Sequence, residues 1–532
     1  MTELEASAAR LLCVGFAGDD AASADVAALT ALGPGALLLF ARNVTTPERT
    51  RALARAVAGA IEARTGRRPW VGVDQEGGRV ARLNAGATAM PSAMAIGAAG
   101  DPSLAEAAGR AIARDLRAFG CDVDFAPVLD LALDPASRVV GTRAFGDDAS
   151  SVGLFGAAFA RGLAAGGVAA VPKHAPGHGA TAVDSHDDVP VLGAGAALLA
   201  ARDLAPFREV RAAGVSATML AHVVVPALGD APASLDPRAI ALVRESVGDE
   251  LLLMTDCLQM GAIARTIGTA EAAAAAIAAG ADLAIVSHDL ALAAAAARAI
   301  ARDVRSGRIA PSRFAAALAA GDRFRARVRE LGASAMSLAG ETSSGAESGP
   351  EVARAIARRS LTLLRGASLP ELAPGDAVTI VSFEGPPGGS AEAQGLGGRA
   401  DGGRPSLAAA LRGRRVRADH LRAPLAPSAA EIEALTLVLA GQGARPLVVI
   451  ARGARFAAAQ AAAIAALAGE RPRAIVVCAS EPFDLVAMPA ARTVLCTYGD
   501  GPAEMDALAE ALTGALVPAG RSPVVLAAAS RP

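Results

Sequence analysis

Eight short apolar runs separated by long helical stretches set the strongest limit on how this chain can fold. "LLCVGF", "GALLLF", "WVGV", "CDVDFA", "VAAVP", "SATMLA", "ELLLMT" and "DLAIVS" begin near residues 11, 35, 70, 121, 168, 216, 250 and 282. Between them lie Ala/Arg/Leu stretches with helical spacing, such as "TPERTRALARAVAGAIEAR" and "AEAAGRAIARDLRAFG". Continuous apolar runs of four to six residues read as strands buried on both faces, and their alternation with helices reads as parallel βα units. Eight such units predict a (β/α)₈ TIM barrel. An open doubly wound sheet is the other arrangement, but no GxGxxG turn follows the first strand.

The texture changes beyond residue 335. The sequence divides into a barrel at 1–335, a Gly/Ser-rich linker at 336–350 and a second α/β sandwich domain at 351–532 with strand-like runs "AVTIVSF", "PLVVIA", "AIVVCA" and "RTVLCTY". Within it, "EGPPGGSAEAQGLGGRADGGRPS" reads as a surface loop. A net charge of −2 gives no basic footprint for nucleic acid. No apolar stretch approaches the roughly 20 residues of a membrane span. The N-terminal segment carries acids where a signal peptide would be basic. Five cysteines without a CxxC pair read as reduced thiols, and a cytoplasmic location is expected.

In a barrel of this kind, reactive groups sit just beyond the strands' C-terminal ends. The residues there are Arg42 and Asn43, Asp74, Lys173 and His174, His222, Asp256 and His288. The segment "KHAPGHGATAVDSHDD" is the densest of these stretches. It carries Lys173, the only lysine among 51 Lys and Arg, and three of the six histidines: His174, His178 and His186. Three chemistries could use it. A metal site could draw on His174, His178, Asp184 and His186. However, "HAPGHG" is not helical and the HExxH glutamate is missing, so no metal and no other cofactor is expected. A phosphate loop fails because no GxxxxGK[ST] surrounds the lysine. The third is a carboxylate-polarised imidazole. In an extended loop Asp184 and His186 point to one side, a pairing suited to general acid/base work. Asp256 leaves the seventh strand where a helix cap is the ordinary alternative, and Asp74, Arg82 and Arg143 each have one as surface ion-pair residues.

"DQEGGRVARL", "DFAPVLDL", "GTRAFGDD", "KHAPGHGATAVDSHDDVPVL" and "MTDCLQMGAI", in that order, resemble the β-N-acetylhexosaminidase branch of glycoside hydrolase family 3, in its two-domain form. "LTGALVPAGRSPVVL" is similar to the close of that family's second domain. The resemblance implies exo-hydrolysis, with retention, of terminal β-linked N-acetylglucosamine. It implies Asp256 as nucleophile, His186 with Asp184 as acid/base dyad, and Asp74, Arg82, Arg143, Lys173 and His174 as sugar-binding residues. The DSH triplet separates this branch from the β-glucosidases, which take their acid from the second domain. Cys257 stands where many relatives carry a small or acidic residue, and reads as a packing substitution. With one Trp and one Tyr, a stacked aromatic platform for a long polysaccharide is not expected. The implied substrate is a small carbohydrate, a muropeptide or chitooligosaccharide fragment in peptidoglycan recycling. Three readings stand beside it: phosphorolysis by inorganic phosphate on the same scaffold, a metal-dependent hydrolase, and a non-catalytic sugar-binding protein.

Overall fold

A computed structural model of the chain describes residues 1–22, 25–181, 189–339, 347–369, 371–385 and 406–526. Eight parallel strands form one sheet: β1 Leu12–Gly15, β2 Ala36–Leu38, β3 Trp70–Val73, β4 Val123–Asp124, β5 Ala169–Ala170, β6 Ala217–Leu220, β7 Leu252–Cys257 and β8 Leu283–Val286. Their order is β5-β4-β3-β2-β1-β8-β7-β6. Between β5 and β6 the sheet closes through irregular pairing, with Met219 N donating to Pro172 O (2.9 Å) and Ala175 N to Met219 O (2.8 Å). Each of the eight apolar runs supplies one strand.

Alternate strand residues fill the barrel. Leu38, Val123, Met219, Met254 and Ile285 point inward together with Trp70 and Phe125. The lower mouth is plugged by the helix Pro311–Ala339, whose Ala320, Phe324 and Val328 recur every four residues on one face. Phe324 meets Trp70 edge-on at 5.6 Å, and full burial of such a ring contributes roughly 1.5–3 kcal/mol. The only tryptophan is therefore part of the barrel floor. Outer helices are delimited by ordinary chemistry. In Pro102–Phe119, Asp101 accepts from Ser103 N (3.0 Å), proline opens the first turn, and Gly120 ends it in the left-handed region at φ 85°.

The second sheet has six strands: β9 Thr362–Arg365, β10 Ala377–Glu384, β11 Arg417–Pro424, β12 Leu447–Ala451, β13 Ile475–Cys478 and β14 Thr493–Cys496. The order is β9-β14-β13-β12-β10-β11, parallel except for β9. Four of these are the runs read from the sequence. The two others are the edges, where covering is incomplete: β9 is mostly half-buried, and β11, "RADHLRAP", mixes exposed and covered residues. The helix Pro311–Ala339 extends past residue 335, and the next helix begins at Gly349, inside the expected linker.

The two sheets belong to one packed body. The helix Gly349–Ser360 lies against the barrel helices Ala93–Ala99 and Pro102–Phe119. Ser92 Oγ donates to Tyr498 O at 2.8 Å, and the Tyr498 hydroxyl is itself buried on Thr362 Oγ1 at 2.8 Å. Near the C-terminus the chain returns to the barrel, where Arg521 N donates to Ala98 O (3.1 Å) and Asp147 N to Pro523 O (3.2 Å). At the upper rim, Arg455 of the second domain is buried against Asp484 and Glu481 and donates from Nε to Pro135 O at 2.7 Å. Among the described residues, no helix is long and apolar enough to cross a membrane.

Candidate active site

A cleft of about 210 Å³ opens at the C-terminal ends of the strands. Asp74 follows β3 and leads into the hairpin Gln75–Gly77/Val80–Ala81, which carries Glu76 and brings Arg82 to the rim. The long connection after β4 supplies Asp130 and Arg143. Lys173 and His174, joined by a cis peptide bond, follow β5, and Asp256 is the penultimate residue of β7. Asp74, Arg82, Arg143, Lys173, His174 and Asp256 all line this cleft. His186 and Asp184 lie outside the described residues.

The only lysine is buried at the centre of a charge network. Lys173 Nζ lies 2.6 Å from Asp74 Oδ1 and 2.6 Å from Glu76 Oε1, while Arg143 grips both Glu76 oxygens at 2.8 Å. Burial works against the ammonium, but Asp74 and Glu76 outweigh it and raise the Lys173 pKa. Burial likewise opposes ionisation of Glu76, yet Arg143 and Lys173 hold its carboxyl far below the usual range. Two cations against two carboxylates make a neutral cradle rich in both donors and acceptors. That combination suits hydroxyl groups, which need both.

Lys173→Met leaves this network one cation short, and we expect a loss of about 3–5 kcal/mol in chemical-denaturation stability. Glu76, with a depressed folded pKa, contributes above its unfolded value near 4.3, and Lys173, with a raised one, contributes below its unfolded value near 10.4. The deficit should therefore be full between about pH 4.3 and 10.4, shrinking outside that window. A deficit flat with pH would show that packing, not charge, is lost.

Asp256 sits where β7 enters the cleft. Cys257 N donates to its Oδ1 at 2.7 Å, and its Oδ2 lies 3.9 Å from His174 Nε2. Burial pushes the Asp256 carboxyl up, but His174, His222, the Cys257 N–H and Lys173 together bring it below its ordinary value. His174 is oriented from behind by Asp130, which is fully buried and lies 2.6 Å from Nδ1. Cys257 is a poor nucleophile, because burial pushes its thiol pKa up; Ser287 Oγ donates to its sulfur at 3.0 Å.

The rule that polar residues beyond strand ends mark the site also selects residues with structural work. Asn43 Nδ2 donates to the carbonyls of Phe16 and Gly18, and His222 is held between Ser234 Oγ and the Cys257 carbonyl. Glu76 and Asp130 escaped that rule. Both lie inside the quoted motifs "DQEGG" and "DFAPVLDL", three and six residues beyond their strands. Phe40 is the cleft's aromatic wall, with the His288 ring at 4.9 Å and the Arg42 guanidinium at 4.5 Å. Among the described residues, no three His, Cys, Asp or Glu side chains converge as metal ligands.

A model described as the glycosyl hydrolase family 3 N-terminal domain matches residues 3–320. A beta-hexosaminidase of Stenotrophomonas maltophilia (strain R551-3) is 36% identical over 285 residues, covering 52% of this chain and 83% of its own length. A beta-hexosaminidase of Pseudomonas aeruginosa (strain LESB58) is 38% identical over 262 residues, 48% of this chain and 75% of its own. The solved structure of a glycoside hydrolase family 3 beta-N-acetylglucosaminidase from Paenibacillus sp. str. FPU-7 superposes with a TM-score of 0.88 at 34% identity, covering 99% of both chains.

Proposed function

The chain belongs to glycoside hydrolase family 3, and on that footing we propose that it is a retaining exo-β-N-acetylglucosaminidase that releases terminal β-linked N-acetylglucosamine. The observation that carries this reading is a small cleft in which an ionised carboxylate, Asp256, faces a charge-balanced cradle of donors and acceptors. At about 210 Å³ it is smaller than the roughly 300–1,000 Å³ typical of larger ligand sites, which fits one sugar ring at a chain end. The single Trp and the single Tyr are both buried, so neither offers a stacking platform for a long polymer.

Asp256 attacks the anomeric carbon as the glycosidic bond breaks, giving a glycosyl-enzyme. His186, oriented by Asp184, protonates the leaving oxygen and then takes a proton from the incoming water. Asp74, Arg82, Arg143, Lys173 and His174 hold the sugar. The natural substrates on this reading are muropeptide or chitooligosaccharide fragments, met in the cytoplasm during peptidoglycan recycling. The five unpaired cysteines support a reducing compartment.

Turnover of matched aryl β-N-acetylglucosaminide and β-glucoside, with and without inorganic phosphate and after exhaustive chelation, tests the proposal. We expect hydrolysis of the N-acetylglucosaminide, free sugar as product, and no dependence on phosphate or chelator. A sugar 1-phosphate product would make the protein a phosphorylase. Loss on chelation restored by zinc would revive the metal-dependent reading, and no turnover of either glycoside would leave a binding protein.

A further inference from the structure

The barrel has a second cavity, larger than the first, at its opposite end. About 330 Å³ opens beside the N-terminal ends of the strands, where Trp70 begins β3, Leu252 begins β7 and Leu283 begins β8. Its walls are the first helix, Glu3–Ala9, the approach to β2 at Gly33–Gly35, the segment Arg64–Trp70, and the plug helix at Leu318–Arg325. None of its residues takes part in the sugar cleft.

Charge is what sets this cavity apart. Arg10, Arg64, Arg67, Arg68 and Arg325 line it, against Glu3 and Asp322. Three of these arginines share one acid. Asp322 Oδ2 accepts from Arg10 (2.9 Å), and Oδ1 from Arg67 (2.8 Å) and Arg325 (3.1 Å). One carboxylate compensates one guanidinium, so this cluster alone retains two positive charges. Arg64 adds another, since the partners of its Nη1 are the carbonyls of Thr30 and Ala31, both at 2.7 Å. The excess is felt within the protein: burial, with repulsion from Arg67, Arg329 and Arg10, lowers the Arg325 pKa despite Asp322. Guanidinium forks around a partly desolvated space match a tetrahedral oxyanion, which can accept two parallel N–H donors from each.

We propose that this basal cavity is a second binding site, for a small phosphoryl-bearing anion, independent of the sugar cleft. An anion there bridges Arg10 just past the first helix, Arg67 from the approach to β3 and Arg325 from the helix that seals the barrel. Occupancy thus ties the plug to the floor.

The floor carries its own reporter, because Trp70 is the protein's only tryptophan. The full chain is titrated with sodium pyrophosphate at constant ionic strength, following tryptophan emission and, separately, calorimetric heat. The expected result is saturable binding by at least one of these signals. Arg67→Ala and Arg325→Ala should each weaken it at least about tenfold, the loss of one charge-assisted contact, while aryl N-acetylglucosaminide turnover stays at the parent level. Arg67→Lys, which keeps the charge and loses the fork, should also bind more weakly and serves if the alanine variant does not fold. No saturable signal by either method, unchanged affinity in the variants, or equal affinity for citrate would overturn the proposal.

Discussion

Replacing Asp256 by alanine is expected to slow turnover of an aryl β-N-acetylglucosaminide by about 10⁴-fold or more, the scale on which a covalent nucleophile is missed. The carboxylate is the group in the cleft best prepared for that role. Its pKa lies below the ordinary carboxylate value despite its burial, and one oxygen is fixed by the Cys257 N–H while the other lies 3.9 Å from His174 Nε2. Because its pKa lies below the ordinary value, it should not set any acid limb of the rate profile between pH 5 and 7. Added azide should restore part of the variant's rate and yield a glycosyl azide of inverted configuration, an outcome that a merely structural role for Asp256 would not give. A slow-turnover fluorinated glycoside should add its mass to the peptide bearing Asp256 in the parent. Labelling at Cys257, or at Asp289, whose Oδ1 caps the helix Leu290–Arg305, would show that the nucleophile lies elsewhere.

The second large effect is expected at His186. Imidazole titrates near pH 6.5, so a general acid built on it needs only the modest upward push that a neighbouring Asp184 supplies. Its alanine variant should cleave natural fragments about 10²- to 10⁴-fold more slowly. Aryl glycosides with good leaving groups need little protonation, so their first step should suffer less. The basic limb of the parent's profile should vanish in the variant, since the group that must be protonated is gone. Equal losses on both substrate types with an unchanged profile would remove His186 from the acid role.

The barrel was legible because parallel strands buried on both faces leave continuous apolar runs, and each of the eight runs became a strand. The edges of the second sheet were not, because β9 is only partly covered and β11 carries exposed polar residues, so neither leaves a continuous apolar run. At the cleft, Asp74, Arg82, Arg143, Lys173, His174 and Asp256 surround one space, as the motif order suggested. Glu76 and Asp130 were hidden for a different reason. A carboxylate that works by holding a cation or an imidazole in place looks, in sequence, like any other acid in a loop. Asn43 and His222 are the converse case, polar side chains at strand ends that satisfy buried backbone. The proposed pair Asp184 and His186 rests on the DSH triplet alone and lies outside the described residues.

The rim contact between the domains has a consequence for how the two halves can be inherited. Gly141 stands two residues before Arg143 at φ 44°, and a Cβ there would lie 2.0 Å from Glu481 Oε1. The same Glu481 anchors Arg455, which reaches across to Pro135 O. A side chain at 141 would be strained by that backbone and would also push Glu481 off its place, and losing the acid at 481 leaves Arg455 to Asp484 alone in bracing the segment that leads to Arg143. The glycine at 141 and the acid at 481, 340 residues apart in the chain, therefore belong to one contact, and a small residue at 141 is what lets the acid at 481 come so close. A recombinant that joins this barrel to a foreign second half would inherit a glycine whose reason for being there has been left behind.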